Sequence, residues 1–135
     1  HAACKRLQAA QLLVNNADKL IPHHRNLSEF LTHGLRYVFV PERGGMTRGM
    51  PTMHAAPPLN KHLPPDTEPA PVWPDASGEV RGTAFSPLYK SAASAARNDP
   101  ALYELLVLVD AIRGGRARER QMAIKELEKR LAKDE

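Results

Sequence analysis

His1-Ala2-Ala3-Cys4-Lys5-Arg6-Leu7-Gln8-Ala9-Ala10-Gln11-Leu12-Leu13-Val14 opens the chain. Ala3, Leu7 and Ala10 recur at helical spacing and make an apolar stripe, while Lys5, Gln8 and Gln11 fall outside it. The pattern predicts a short, basic, amphipathic helix. No capping residue precedes it, so the sequence leads one to expect supporting residues upstream of His1. Leu12-Leu13-Val14 and Leu20-Ile21-Pro22 are two brief apolar runs on either side of Asn15-Asn16-Ala17-Asp18-Lys19. Short runs around an Asn/Asp turn predict a small β-hairpin. A second helix is expected from Asn26, with Glu29 three residues on at the spacing of a capping box. Its apolar stripe is Leu27, Phe30, Leu31, Gly34, Leu35 and Val38.

Basic helix, hairpin and amphipathic helix is the order of the back half of a winged helix-turn-helix domain. Residues 1–14 resemble the recognition helix and first wing strand of MarR-like winged-helix regulators. Lys5-Arg6-Leu7 stands at the K/R-R-L position of that pattern, and Gln11 stands where those regulators favour glycine. Leu27 to Leu59, with Arg43-Gly44-Gly45-Met46-Thr47-Arg48-Gly49 and Ala55-Ala56-Pro57-Pro58-Leu59, is similar to a family of uncharacterised bacterial transcriptional regulators. The stretch from Asp99 to Arg113 is similar to the same family's C-terminus. The resemblance covers most of the chain and implies double-stranded DNA as partner, with the domain's earlier helices lying before His1.

In that setting Lys5, Arg6 and Gln8 are the expected DNA-reading residues. Arg and Gln suit bidentate contacts with guanine and adenine edges. Lys19, His23, His24 and Arg25 are expected on the flanking phosphate backbone.

Size and composition fit this reading without requiring it. The chain has 135 residues, 42% hydrophobic but only 5% aromatic, so its core must be aliphatic and alanine-rich. A formal net charge of +4 is compatible with a polyanionic partner. Cys4 is the sole cysteine, which excludes an internal disulfide and a cysteine-based zinc cluster. No apolar run approaches the ~20 residues that span a bilayer, and a cytoplasmic location is expected, with no membrane association.

The fold class expected is mainly α with a small β-hairpin, an α+β chain in three parts. Residues 1–40 form the partial winged-helix segment, 41–79 a Pro/Gly-rich extended arm, and 80–135 a C-terminal helical region. Nine of the 12 prolines lie between Pro41 and Pro74. Proline lacks an amide donor and fixes φ, so no helix or central strand is expected there. Met46, Met50, Met53, Leu59, Leu63 and Val72-Trp73 suggest an arm packed across the helices, and Pro64 to Pro71 its mobile part. Val80 to Phe85 reads as a short strand. Ser86-Pro87 reads as the N-cap and first position of a helix to about Ala96, and Asp99-Pro100 as the start of another. Leu102, Leu105, Leu106, Val109 and Ile112 give that helix a wide apolar face, and Gly114-Gly115 ends it. A last helix is expected from Arg116 to Lys133.

Other chemistry reads weakly. Arg43 to Gly49 lacks the strand-loop-helix setting and Lys-Ser/Thr ending of a phosphate loop, and is expected to be a glycine turn. His23, His24, His33, His54 and His62 show no metal-ligand spacing, so no metal or cofactor is expected. Cys4 reads as a small core residue, no serine has a glycine elbow, and no enzyme activity is expected. Ile124, Leu127 and Leu131 on the last helix, after a cluster of Arg113, Arg116, Arg118 and Arg120, are a candidate interface for a homodimer or another protein. The alternative function is a protein-interaction module, such as an antitoxin-like partner of a neighbouring gene product, with Met46, Met50 and Met53 against that partner.

Overall fold

A computed structural model describes residues 2–16, 19–64 and 67–133. Ala17 and Asp18 of the expected turn, and Pro65 and Asp66 of the expected mobile piece, lie outside these. The chain is mixed α+β. Helix α1 (Ala2–Ala9) leads into strands β1 (Leu13–Asn16) and β2 (Lys19–Pro22). These pair antiparallel with Leu13 opposite Pro22 and Val14 opposite Ile21. A helical rod follows in three parts: α2 (His24–Glu29), a π turn (Phe30–Gly34) and α3 (Leu35–Val38).

The rod starts two residues before its expected start. His23 is the N-cap, its Nδ1 accepting the Asn26 N–H at 3.2 Å. The Asn26 side chain reaches back instead to the Gln11 carbonyl at 2.9 Å. The π turn changes the phase of the apolar stripe, because a π turn takes more residues per revolution than an α turn. Leu35 is buried, but Val38 falls outside the core and is exposed.

The proline-rich stretch holds strand structure, correcting the expectation of an extended arm without a central strand and of a glycine turn at Arg43 to Gly49. Strand β3 (Arg43–Pro51) runs nine residues through the glycines. It pairs antiparallel with β4 (Pro71–Pro74) and with β5 (Val80–Phe85), while β4 pairs parallel with β5. The three strands therefore close into a miniature barrel. The register shifts between Arg43 and Met46, at Gly44-Gly45, as in a β-bulge. Prolines occupy strand ends, where a missing donor costs no ladder bond. Pro71 even contributes, its carbonyl accepting the Thr52 N–H at 3.0 Å. The barrel takes strands from both sides of residue 79, so the middle and C-terminal segments share one structure.

Helices α4 (Ala92–Arg97), α5 (Pro100–Gly114) and α6 (Ala117–Lys133) complete the chain. Asp99 caps α5 as expected, Oδ1 accepting the Leu102 N–H at 3.2 Å with Pro100 in the first turn. Ser86-Pro87 does not open a helix. Its serine is held across the chain, Oγ accepting the Glu42 N–H at 2.8 Å and its own N–H donating to the Glu42 carbonyl at 2.9 Å.

Residues 106–113 of α5 are buried all round, as expected of a helix enclosed by neighbours. One side meets Ala123 and Leu127 of α6, with Ala56 and Leu59. The other meets the barrel residues Trp73 and Phe85, with Met53, Ala92 and Ala96. No helix among the described residues is long and apolar enough to cross a membrane.

Candidate nucleic-acid interface

Helix α1 buries none of its residues. Lys5 and Arg6 are exposed and Gln8 is half-buried. The helix ends at Gln11, whose φ of 63° is in the left-handed region. That conformation costs an L-residue with a side chain about 1 kcal/mol. It explains in physical terms why glycine suits this position. Gln11 N–H donates to the Gln8 carbonyl and Leu12 N–H to the Leu7 carbonyl, both at 2.9 Å, which turns the chain into β1.

The hairpin is then tied down at its base. His23 N–H donates to the Leu12 carbonyl at 2.8 Å, and Asn26 holds the Gln11 carbonyl. Helix, hairpin and α2 thus form a connected unit, with every residue of β2 exposed. Residues 1–40 carry five Lys or Arg against two Asp or Glu, a net +3 of the chain's +4. Residues 81–135 carry an equal net +3 and residues 41–80 a net −2, so the cationic excess is shared between the two ends of the sequence.

The expected contact residues separate into two groups. Lys5, Arg6, Lys19 and Arg25 are exposed. His23 and His24 are half-buried. His23 caps α2. His24 lines a shallow cavity of about 310 Å³ with Arg25, Ser28, Glu128, Leu131 and Ala132, against the end of α6. Cys4 is half-buried on α1, outside both core clusters.

The candidate interface on α6 also serves the chain itself. Leu127 lies inside the core, and Ile124 and Leu131 pack partly buried against it. Met53 is buried and Met50 packs on the barrel core, leaving Met46 as the exposed member of that trio.

The most elaborate polar arrangement was not anticipated. Arg113, grouped with the surface arginines from sequence, is buried beside Asp110, Nη1 lying 3.1 Å from Oδ1. Asp110 Oδ2 also accepts from Thr52 Oγ1 and Trp73 Nε1, each at 2.6 Å. Arg113 Nε donates to the Phe39 carbonyl at 3.1 Å and Nη2 to the Ser86 carbonyl at 3.2 Å. Its guanidinium lies 5.4 Å from the Phe85 ring centre. Burial pushes the Asp110 carboxyl up to about 6, against downward pulls from the Thr52 hydroxyl, the Arg113 charge and Trp73. Burial likewise lowers Arg113, against the pull of Asp110. The sequence signal was a charged pair three apart on the apolar stretch of α5. Every group here is engaged within the chain, so the network joins α5 to the barrel and to the end of α3.

Comparison with protein-family models, with curated proteins and with solved structures finds no match in any of the three.

Proposed function

We propose that the chain is a non-enzymatic, DNA-binding transcriptional regulator of the winged-helix kind, acting in the cytoplasm on double-stranded DNA. In this reading α1 is the recognition helix and β1–β2 the wing. The observation that carries it is a helix with no buried residue, bearing Lys5, Arg6 and Gln8, joined by backbone hydrogen bonds to an exposed hairpin bearing Lys19. The net +3 of residues 1–40 is compatible with the same partner. Phosphate contacts position a protein on a duplex and base contacts specify the site. Lys5, Lys19 and Arg25 are assigned to phosphates, and Arg6 and Gln8 to base edges.

The test is fluorescence anisotropy of labelled duplex across a salt series, followed by selection of preferred sites. Lys5→Ala and Lys19→Ala are each expected to lower the slope of log K against log salt by about one, uniformly across sequences. Gln8→Ala is expected to relax preference at one base pair, a loss of about 1–3 kcal/mol there. Failure of the chain to retain duplex DNA at low salt overturns the reading.

A further inference from the structure

We propose that the outer face of the β3–β5 ladder, around Arg48 and Arg81, is a second contact surface for the phosphate backbone of duplex DNA. The inference deepens the reading of a DNA-binding chain: it rests on that partner, and needs neither α1 nor the hairpin to meet it.

Register sets the pattern. Arg48 stands directly opposite Arg81 in the antiparallel ladder, Met46 opposite Thr83 and Arg43 opposite Phe85. Residues opposite one another, and those two along, share a face of a sheet. Two contacts agree with this. Thr83 Oγ1 lies 3.9 Å from Met46 Sδ, and the Arg43 guanidinium lies 5.2 Å from the Phe85 ring centre. The alternate positions point inward: a Cβ on Gly49 would meet the Trp73 carbonyl oxygen, and one on Gly82 that of Ala70, each at 2.0 Å. Arg48 and Arg81 therefore lie on the outer face, and both are exposed.

Like charges set directly opposite one another on neighbouring strands destabilise a sheet. Nothing within the chain offsets this pair. Among the described residues, neither Arg48 nor Arg81 has a carboxylate partner. Asp75, beside the Arg48 carbonyl, is paired with Arg97, and Glu79 pairs with neither arginine. Arg43 also lacks a carboxylate and is held by donating to the Gly114 carbonyl at 2.6 Å. Two facing guanidiniums free of carboxylates are complementary to an anion from outside, and their forked donors match phosphate oxygens.

The layout favours a polymer. Arg81 and the position opposite Arg43 are four residues apart on β5, about 13 Å along an extended strand. Duplex DNA carries one charge per ~1.7 Å of its axis. It meets both ends of such a line, where one small anion meets one. The cavity of about 180 Å³ beside Arg43 is lined by neither Arg48 nor Arg81. Its carboxylates each lie beside a group of their own, Glu68 3.7 Å from Arg116 and Glu119 3.6 Å from His54. The arginine pair is thus on open surface, suited to a backbone that passes across it.

Fluorescence anisotropy of labelled mixed-sequence duplex over a salt series, on the full chain, tests the proposal. Arg48→Thr combined with Arg81→Thr removes both charges and keeps strand-forming residues. It is expected to lower the slope of log K against log salt by about two. Without DNA its thermal midpoint at low salt should stay level or rise, because the repulsion has gone. Arg48→Glu alone should raise that midpoint, by setting opposite charges across the ladder. The same change should weaken duplex binding at low salt about tenfold or more.

A slope unmoved by R48T/R81T overturns the proposal and leaves the assignment of α1 and the hairpin standing. A slope lowered by R48T/R81T but not by Lys5→Ala or Lys19→Ala supports it and overturns that assignment. No duplex binding at low salt overturns both. The proposal also falls if binding is lost only in variants whose midpoint has dropped. It falls too if inorganic phosphate raises the midpoint through this pair while duplex does not.

Discussion

At the scale of single residues, Asp110 has the most exacting position. Its carboxylate accepts from Thr52 and Trp73 and faces Arg113, yet desolvation dominates and raises its titration to about 6. An unfolded aspartate titrates near 3.9 (about two pH units lower). The folded state therefore holds the proton more tightly, and stability attributable to this group is fully present below about pH 4 and lost as pH rises through about 6. Asp110→Asn removes the titration while keeping the shape. The unfolding free energy of the unaltered chain minus that of the variant should fall by on the order of 2 kcal/mol between about pH 4.5 and about pH 7.5. Chemical denaturation of both proteins across that range checks it, and a flat difference would mean Asp110 is ionised throughout.

At the scale of elements, the end of α1 carries a similar strain. Gln11 occupies a left-handed conformation at φ 63°. Gln11→Gly should stabilise the helix-to-hairpin junction by about 0.5–1 kcal/mol. Slower amide exchange at Leu12 and His23, whose N–H groups close that junction, is the measurement; faster exchange would show that glycine's freedom in the unfolded chain outweighs the relief.

The elements also show what could be read from order of residues alone. The hairpin, β5, the Asp99-Pro100 start and the Gly114-Gly115 end are each determined by neighbours within a few positions, and all four appear as expected. The Ser86-Pro87 start failed because a distant partner, Glu42, takes the serine. The α2 cap failed for a related reason, since Asn26 is drawn to the Gln11 carbonyl. Strand β3 was hidden by a count of prolines over a window, whereas only Pro51 lies within it, at its last position. Lys5, Arg6, Lys19 and Arg25 were legible as exposed cations because polar residues beside a short apolar pattern face outward. The fate of His23, His24 and Arg113 was not, since a cap, a cavity lining and a buried ion pair are made by tertiary neighbours.

At the scale of the whole molecule, closure of three strands into a barrel brings backbones unusually near. A Cβ on Gly82 would lie 2.0 Å from the Ala70 carbonyl oxygen and 2.9 Å from Val72 Cγ1. Backbone cannot yield as a flexible side chain does, so Gly82→Ala should cost about 3 kcal/mol or more in urea unfolding. Gly45, on the same barrel, has nothing within 4 Å of such a Cβ. Gly45→Ala should change stability by no more than about 0.5 kcal/mol, and equal losses at the two positions would show that the close approach at Gly82 is relieved by relaxation.

The guanidinium of Arg113 reaches the Phe39 carbonyl from a helix seventy-four positions later in the chain. A cation shut away from water does not readily release an oxygen it already holds. The end of α3 is thereby tied to the helix that packs on the barrel. If the proposed DNA contact holds, a load on the N-terminal third of the chain has this bond as one route to the strands.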